Sequence, residues 1–175
     1  MSLRILHVLD HSLPLHSGYA FRTVSILREQ RRLGWETFHV TTPKQGVSAG
    51  GTEEADGWTF HRTASTGQEG LVAQMRLTAA RLDELVQTLR PDILHPHSPV
   101  LNALPALWVG RKHRIPVVYE MRASWEDAAV DHGTTTEGSL RYRVSRGLES
   151  FALRRADQVT TICEGLRGDI AVRGV

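Results

Sequence analysis

Short apolar runs alternate with longer stretches of helical period along most of the chain. Residues 4–10 (RILHVLD) predict a first strand, and residues 11–17, with Pro14, a polar loop. Residues 18–33 carry Phe21, Val24, Ile26, Leu27 and Leu33 in a helical stripe that Gly34 stops. A second strand is predicted at 36–42, a Gly-rich polar loop at 43–57 and a short third strand at 58–62. The clearest helix is 71–89: Leu71, Met75, Leu82, Leu85, Val86 and Leu89 share a face, and Pro91 follows as a stop. Strands at 92–95, 116–120 and 158–163 then alternate with helices at 101–111, 140–155 and 164–172. Residues 123–138 show no clean period. In the 140–155 helix, Leu140, Val144, Leu148, Phe151 and Ala152 form the expected apolar face, and Arg141, Arg143, Arg146, Arg154 and Arg155 are read as its solvated side. There is no internal repeat.

Alternation of this kind predicts an α/β fold: a doubly wound, Rossmann-like parallel sheet in one domain over residues 1–175, helices on both faces. Such sheets bind ligands outside the carboxyl ends of their strands, where the strand order reverses. The loops after Asp10, His95 and Glu120 are therefore the ones that matter.

Composition narrows the function only a little. The charge balance of 21 Lys and Arg against 19 Asp and Glu gives no electrostatic case for nucleic acid. Cys163 is the single cysteine, so no internal disulfide can form; it is expected to be a small buried residue and not a nucleophile. With no signal-peptide pattern and no apolar run near the length of a membrane span, a cytoplasmic location is expected. The arginine-rich helix leaves peripheral membrane contact open.

In the first loop, Ser17 can cap the helix and Gly18 either serves the turn or admits a ligand to the free amides. No G-x-G-x-x-G or P-loop pattern is present. In the second, His95 is read as structural, within the strand. His97 lies just past it, either as a functional imidazole or as a surface histidine held by Pro96 and Pro99. The two rings are expected to face opposite ways, which disfavours a shared metal. In the third, Glu120 and Arg122 are candidates for a polar ligand or for a mutual surface ion pair. Asp127, Asp131 and His132 are not expected to form a metal site.

The order and spacing of RILHVLD, SGYAFRTVSILREQRRLGWE, RPDILHPHSP, IPVVYEMR and LESFALRRADQVTTICEGL resemble the N-terminal half of family 4 glycosyltransferases of the two-domain GT-B fold. EMRASWEDAAVDHG is further similar to members associated with bacterial exopolysaccharide and exosortase loci. The resemblance implies a retaining sugar transfer from a nucleotide-sugar donor to a glycan or lipid-linked acceptor, with no metal or other cofactor. It implies a donor site at Ser17, Gly18 and Tyr19, where many members have a second glycine in place of Tyr19. It implies His97 as the catalytic histidine and Glu120 and Arg122 as acceptor contacts. The family's Glu-x(7)-Glu motif is absent from this sequence, so a C-terminal donor domain is an expected partner, and the chain alone is expected to be inactive. The rival expectations are a non-catalytic acceptor- or partner-binding half-protein and a GT-B nucleotide-sugar epimerase.

Overall fold

The computed structural model describes residues 2–131 and 133–175. The elements run β1 (Arg4–Leu9), α1 (Gly18–Arg32), β2 (Glu36–Thr41), a 3-10 turn (Pro43–Gln45), β3 (Gly51–Ala55), β4 (Trp58–Arg62), α2 (Leu71–Leu89), β5 (Ile93–Pro96), α3 (Val100–His113), β6 (Val118–Met121), α4 (Trp125–Asp131), α5 (Leu140–Arg155), β7 (Gln158–Thr161) and α6 (Glu164–Val172). One sheet has the order β3-β4-β2-β1-β5, and β6 pairs with β7. Parallel bridges Leu94–Val117 and His97–Glu120 continue the pairing from β5 to β6. The strand order therefore reverses at β1, which sits between β2 and β5. The predicted α/β class holds, and the switch point lies where the loops after β1 and β5 emerge.

Two elements depart from the sequence reading. Strand β3, inside the segment read as a loop, runs antiparallel to β4. Its GTEEA sequence has almost no apolar signal because it is an exposed edge strand. The turn joining it to β4 is Asp56-Gly57, both at positive φ (50° and 76°), as a two-residue hairpin turn of the primed type requires. Helix α4 forms within the stretch read as irregular; its short length gives periodicity little room to show.

The two sheet faces differ in chemistry. Leu6, Val8, Val40 and Leu94 point to one side, where Leu82, Leu85 and Val86 of α2 and Ala106 and Val109 of α3 cover them. Burial of this kind is the main stabilising term. Behind β6, Tyr119 and Met121 pack on Ala103, Ala152, Leu153 and Ile170. The opposite face of β1 is covered by α1, with Leu9, Leu27, Trp58 and Phe60 in that core.

Of the five apolar residues expected to face inward on helix α5, only Ala152 is buried. Glu149, Ala152 and Leu153 are buried, whereas Leu140, Val144, Leu148 and Phe151 are exposed. Period identifies a stripe but not what lies against it, and here α3 and β7 leave that stripe uncovered. Cys163 is likewise exposed, at the start of α6, and not buried as expected.

Gly110 is where α3 comes closest to the strand it feeds. A Cβ there would sit 2.6 Å from Val117 Cγ2 and 2.8 Å from the Ile115 carbonyl oxygen. Because a backbone carbonyl cannot swing aside, Gly110→Ala is expected to lower stability by about 1–3 kcal/mol, read as a lower thermal midpoint.

Candidate active site at the sheet switch point

The three loops singled out above do meet. Ser17 caps α1, its Oγ accepting from the Ala20 amide at 3.1 Å. The hydroxyl also meets His11 Nε2 at 2.7 Å, and His11 Nδ1 lies 3.1 Å from Asp10 Oδ2. Gly18 is exposed, with open space where a Cβ would be. Free amides of a helix's first turn and open backbone make a surface that suits an anion or a sugar hydroxyl.

Tyr19 forms the floor under this rim. Its ring stacks on His11 at 4.7 Å, its hydroxyl accepts from the Asp10 amide at 3.1 Å, and the Arg122 guanidinium lies 4.4 Å from its ring centre. Burial pushes its hydroxyl pKa up. Tyr19 is therefore held as a neutral platform.

Beneath it lies a buried charged layer. Glu120 Oε1 accepts from Arg22 Nε and Nη2 at 3.2 and 3.0 Å, and Arg122 Nη2 reaches Glu120 Oε2 at 3.2 Å. Arg122 Nη1 donates to Thr23 Oγ1 at 2.9 Å and to the Tyr19 carbonyl at 3.2 Å, and Nη2 contacts His97 Nδ1. The Arg122 amide donates to Ser98 Oγ at 3.0 Å. Burial raises the Glu120 carboxyl, but its contacts with His97, Arg122 and Arg22 outweigh that and leave it below the usual carboxylate range. Glu120 and Arg122 thus do form the ion pair weighed from sequence, but inside the protein and not on its surface.

His97 is not the surface histidine weighed from sequence, nor is its ring open to the rim. It is fully buried, with Nδ1 against Glu120 Oε2 at 3.0 Å and Arg122, and Nε2 against His7 Nδ1 at 2.9 Å. Burial, then the charge of His95, lowers its pKa to about 3, so the ring is neutral near pH 7. It lies one layer below the rim, out of contact with solvent. Its main chain is also fixed: Asn102 Nδ2 donates to its carbonyl at 2.8 Å. Glu120 and Arg122, expected to touch an acceptor, are nearly as deep; Arg22 is the charged side chain of this network that reaches solvent, 44% exposed.

A second correction concerns His95 and His97. Their rings lie on the same side, centres 4.5 Å apart, because residues two apart in a strand share a face. His7, directly across from His95 in the β1–β5 pairing, joins them. Of the acidic cluster considered from sequence, Asp127 bonds Ser124 and Tyr142; His132 and the Asp131 side chain lie outside the described residues.

Arg22, Thr23, Gln30 and His7 were not singled out from sequence. Arg22 and Thr23 sit four and five residues after Gly18, on the turn of α1 that faces β6. His7 carried one signal, a polar residue alternating with Leu6 and Val8 in an otherwise apolar strand. Grooves also lie elsewhere on the described surface, along β7 and α6 and between α3 and α5.

A Rossmann-like domain whose polar loops gather at a strand-order reversal is the pattern of one half of a GT-B protein. The family "Glycosyl transferase 4-like domain" matches residues 17–175, and the chain belongs to that family. No curated protein sequence matches it. Among solved structures it is similar to a UDP-N-acetylglucosamine 2-epimerase from Rickettsia bellii (TM-score 0.64, 12% identity, 100% of this chain and 43% of that one). It is also similar to the UDP-GlcNAc 2-epimerase from Methanocaldococcus jannaschii (0.61, 11% identity, 98% and 43%). A third is the α,α-trehalose 6-phosphate synthase from Burkholderia multivorans (0.53, 11% identity, 89% and 38%). At such identities the likeness is one of fold. The chain spans less than half the length of each of these proteins.

Proposed function

We propose that this chain is the acceptor-side domain of a retaining glycosyltransferase that moves a sugar from a nucleotide-sugar to a glycan or lipid-linked acceptor. The observation that carries this reading is the layered rim at the switch point. An open helix start at Ser17–Gly18 stands over Tyr19, and a buried Arg122–Glu120 pair holds Arg22 at the surface. In this reading the donor's phosphates and sugar rest against the first turn of α1. Arg22 supplies the fixed positive charge, and preorganised charge of this kind stabilises developing charge in a transition state. Glu120, Arg122 and His97 act by holding Tyr19 and Arg22, not by touching the substrate. A second domain carries the rest of the donor site, and closure onto this rim excludes water.

The test compares this 175-residue chain with a longer protein that adds a second α/β domain. Both are incubated with nucleotide-sugars and acceptor extracts, and products are followed by mass spectrometry. The two-domain protein is expected to glycosylate an acceptor and release a nucleoside diphosphate, and the chain alone to do neither. Robust transfer by the chain alone would overturn the split site. Release of an epimerised sugar or glycal without acceptor would replace the transferase by an epimerase. Acceptor binding without donor turnover by the longer protein would leave a binding module.

A further inference from the structure

Below the rim, imidazoles cross three neighbouring strands. His39 of β2 pairs in register with His7 of β1, and His7 with His95 of β5. His97 follows one step along the same face. His39 is satisfied locally, by the Thr59 carbonyl and Thr37 Oγ1. The other three form a triangle of rings with centres 4.5, 4.9 and 5.1 Å apart. One nitrogen from each lies within 4.8 Å of the others.

The surroundings of this triangle are those of a ligand set. His7 turns Nε2 toward Gln30 Oε1 at 2.8 Å, and His97 turns Nδ1 toward Glu120 Oε2 at 3.0 Å. Gln30 Oε1 accepts from His7 Nε2 and so turns the lone pair of His7 Nδ1 inward, 2.9 Å from His97 Nε2. His97 Nδ1 faces both an acceptor, Glu120, and a donor, Arg122, so either of its ring nitrogens can carry the proton. A guanidinium only donates, so when Arg122 occupies His97 Nδ1 the proton sits on Nε2 and fills that gap. A cation fills it equally, with the proton moving to Nδ1 and on to Glu120, while Arg122 keeps Thr23 and Tyr19 through Nη1. His95 adds an independent sign. Its Nε2 is shielded from solvent and has no hydrogen-bond partner, a cost of about 1–3 kcal/mol unless a ligand meets it.

We propose that His7, His95 and His97 bind one divalent cation of the zinc class. The ligands are His7 Nδ1, His97 Nε2 and a nitrogen of His95; Glu120 and Gln30 form the outer shell. Imidazole nitrogens suit such a borderline ion, and metal–nitrogen distances of about 2.0–2.1 Å require the His7–His97 pair to open by roughly half an ångström. Entry is from the half-buried His95 side, where Gln158 and Thr160 of β7 are exposed on the same face. The ion would tie β1 to β5 at the switch point, beneath Tyr19 and away from the substrate, so its role is structural. The proposal stands independently of sugar transfer.

The experiment strips the chain with a chelator and titrates it with Zn²⁺ and, separately, Co²⁺. The expected result is one site per chain, a rise in the thermal midpoint with zinc, and the visible absorption of nitrogen-ligated four- or five-coordinate cobalt. His95→Asn, whose ring makes no hydrogen bond through Nε2, is expected to fold normally, lose the cobalt spectrum and weaken zinc binding by at least about 100-fold, the upper scale of outer-shell losses alone. His113→Asn removes a half-buried histidine that bonds Asp83, far from the triangle, and is expected to leave zinc affinity and the cobalt spectrum unchanged. Failure of the stripped protein to bind either ion, or zinc binding of unchanged affinity in His95→Asn, overturns the site.

Discussion

Glu120→Ala is expected to destabilise the chain by about 3–5 kcal/mol at pH 7, because it leaves Arg122 buried without its counter-charge. The same substitution releases Arg22 from its two bonds to Oε1 and takes the acceptor away from His97. Urea unfolding gives the loss directly. The double variant E120L/R122M removes both charges and is expected to recover most of it, since well-packed apolar pairs replace buried ion pairs at little net cost. A loss below about 1 kcal/mol for Glu120→Ala, the size of an exposed pair, would mean that the layer under the rim is not one unit.

Glu149→Gln is expected to do the reverse and stabilise the chain above neutral pH. Glu149 is buried on α5, and its Oε1 accepts from the Tyr119 hydroxyl at 2.6 Å. Burial pushes its carboxyl up to about 7 from an ordinary 4.5. Between those two values the folded state keeps a proton that the unfolded chain has released, so stability falls as pH rises. The contribution is complete below the unfolded pKa and gone above the folded one, a difference of about 3 kcal/mol for that shift. Glutamine keeps an acceptor for Tyr119 and has nothing to ionise. His39 and His97, which are buried, and the half-buried His95 work in the opposite direction, since desolvation lowers their pKa to about 4, 3 and 4 respectively. Their stabilisation is present above the ordinary histidine value and lost as pH falls. The informative quantity is therefore the stability of Glu149→Gln minus that of the parent, measured at pH 5 and pH 8. It should grow by about 2–3 kcal/mol toward pH 8; a constant difference would show that Glu149 ionises freely in the fold.

Local pattern was enough for much of this architecture. Helix α2 falls at the boundaries that its apolar stripe and Pro91 predict, and helix α6 and strand β4 fall at the bounds read for them. The exposed hairpin strand β3 escaped because it buries nothing, although its Asp56-Gly57 turn was in plain view. The rim was legible to the level of loops. Ser17 and Gly18 follow from helix-start chemistry, and Glu120 and Arg122 from the end of a strand. Arg22 and Gln30 were not legible, because nothing in their spacing says that α1 lies across β6 and β1.

By itself, then, the sequence determined the order of the six parallel strands and of every α-helix but α4, and the loops that gather at the reversal of the sheet. These depend on periodicity and turn chemistry, which act over a few residues. Tertiary structure alone decided that α5 shows Leu148 and Phe151 to solvent, that Glu120 and Arg122 pair in the interior, and that His97 lies sealed against His7 and His95. A repeat of two or of 3.6 residues tells which side chains share a face. What covers that face, and hence what is buried, charged or within reach of a ligand, is set by segments distant in the chain.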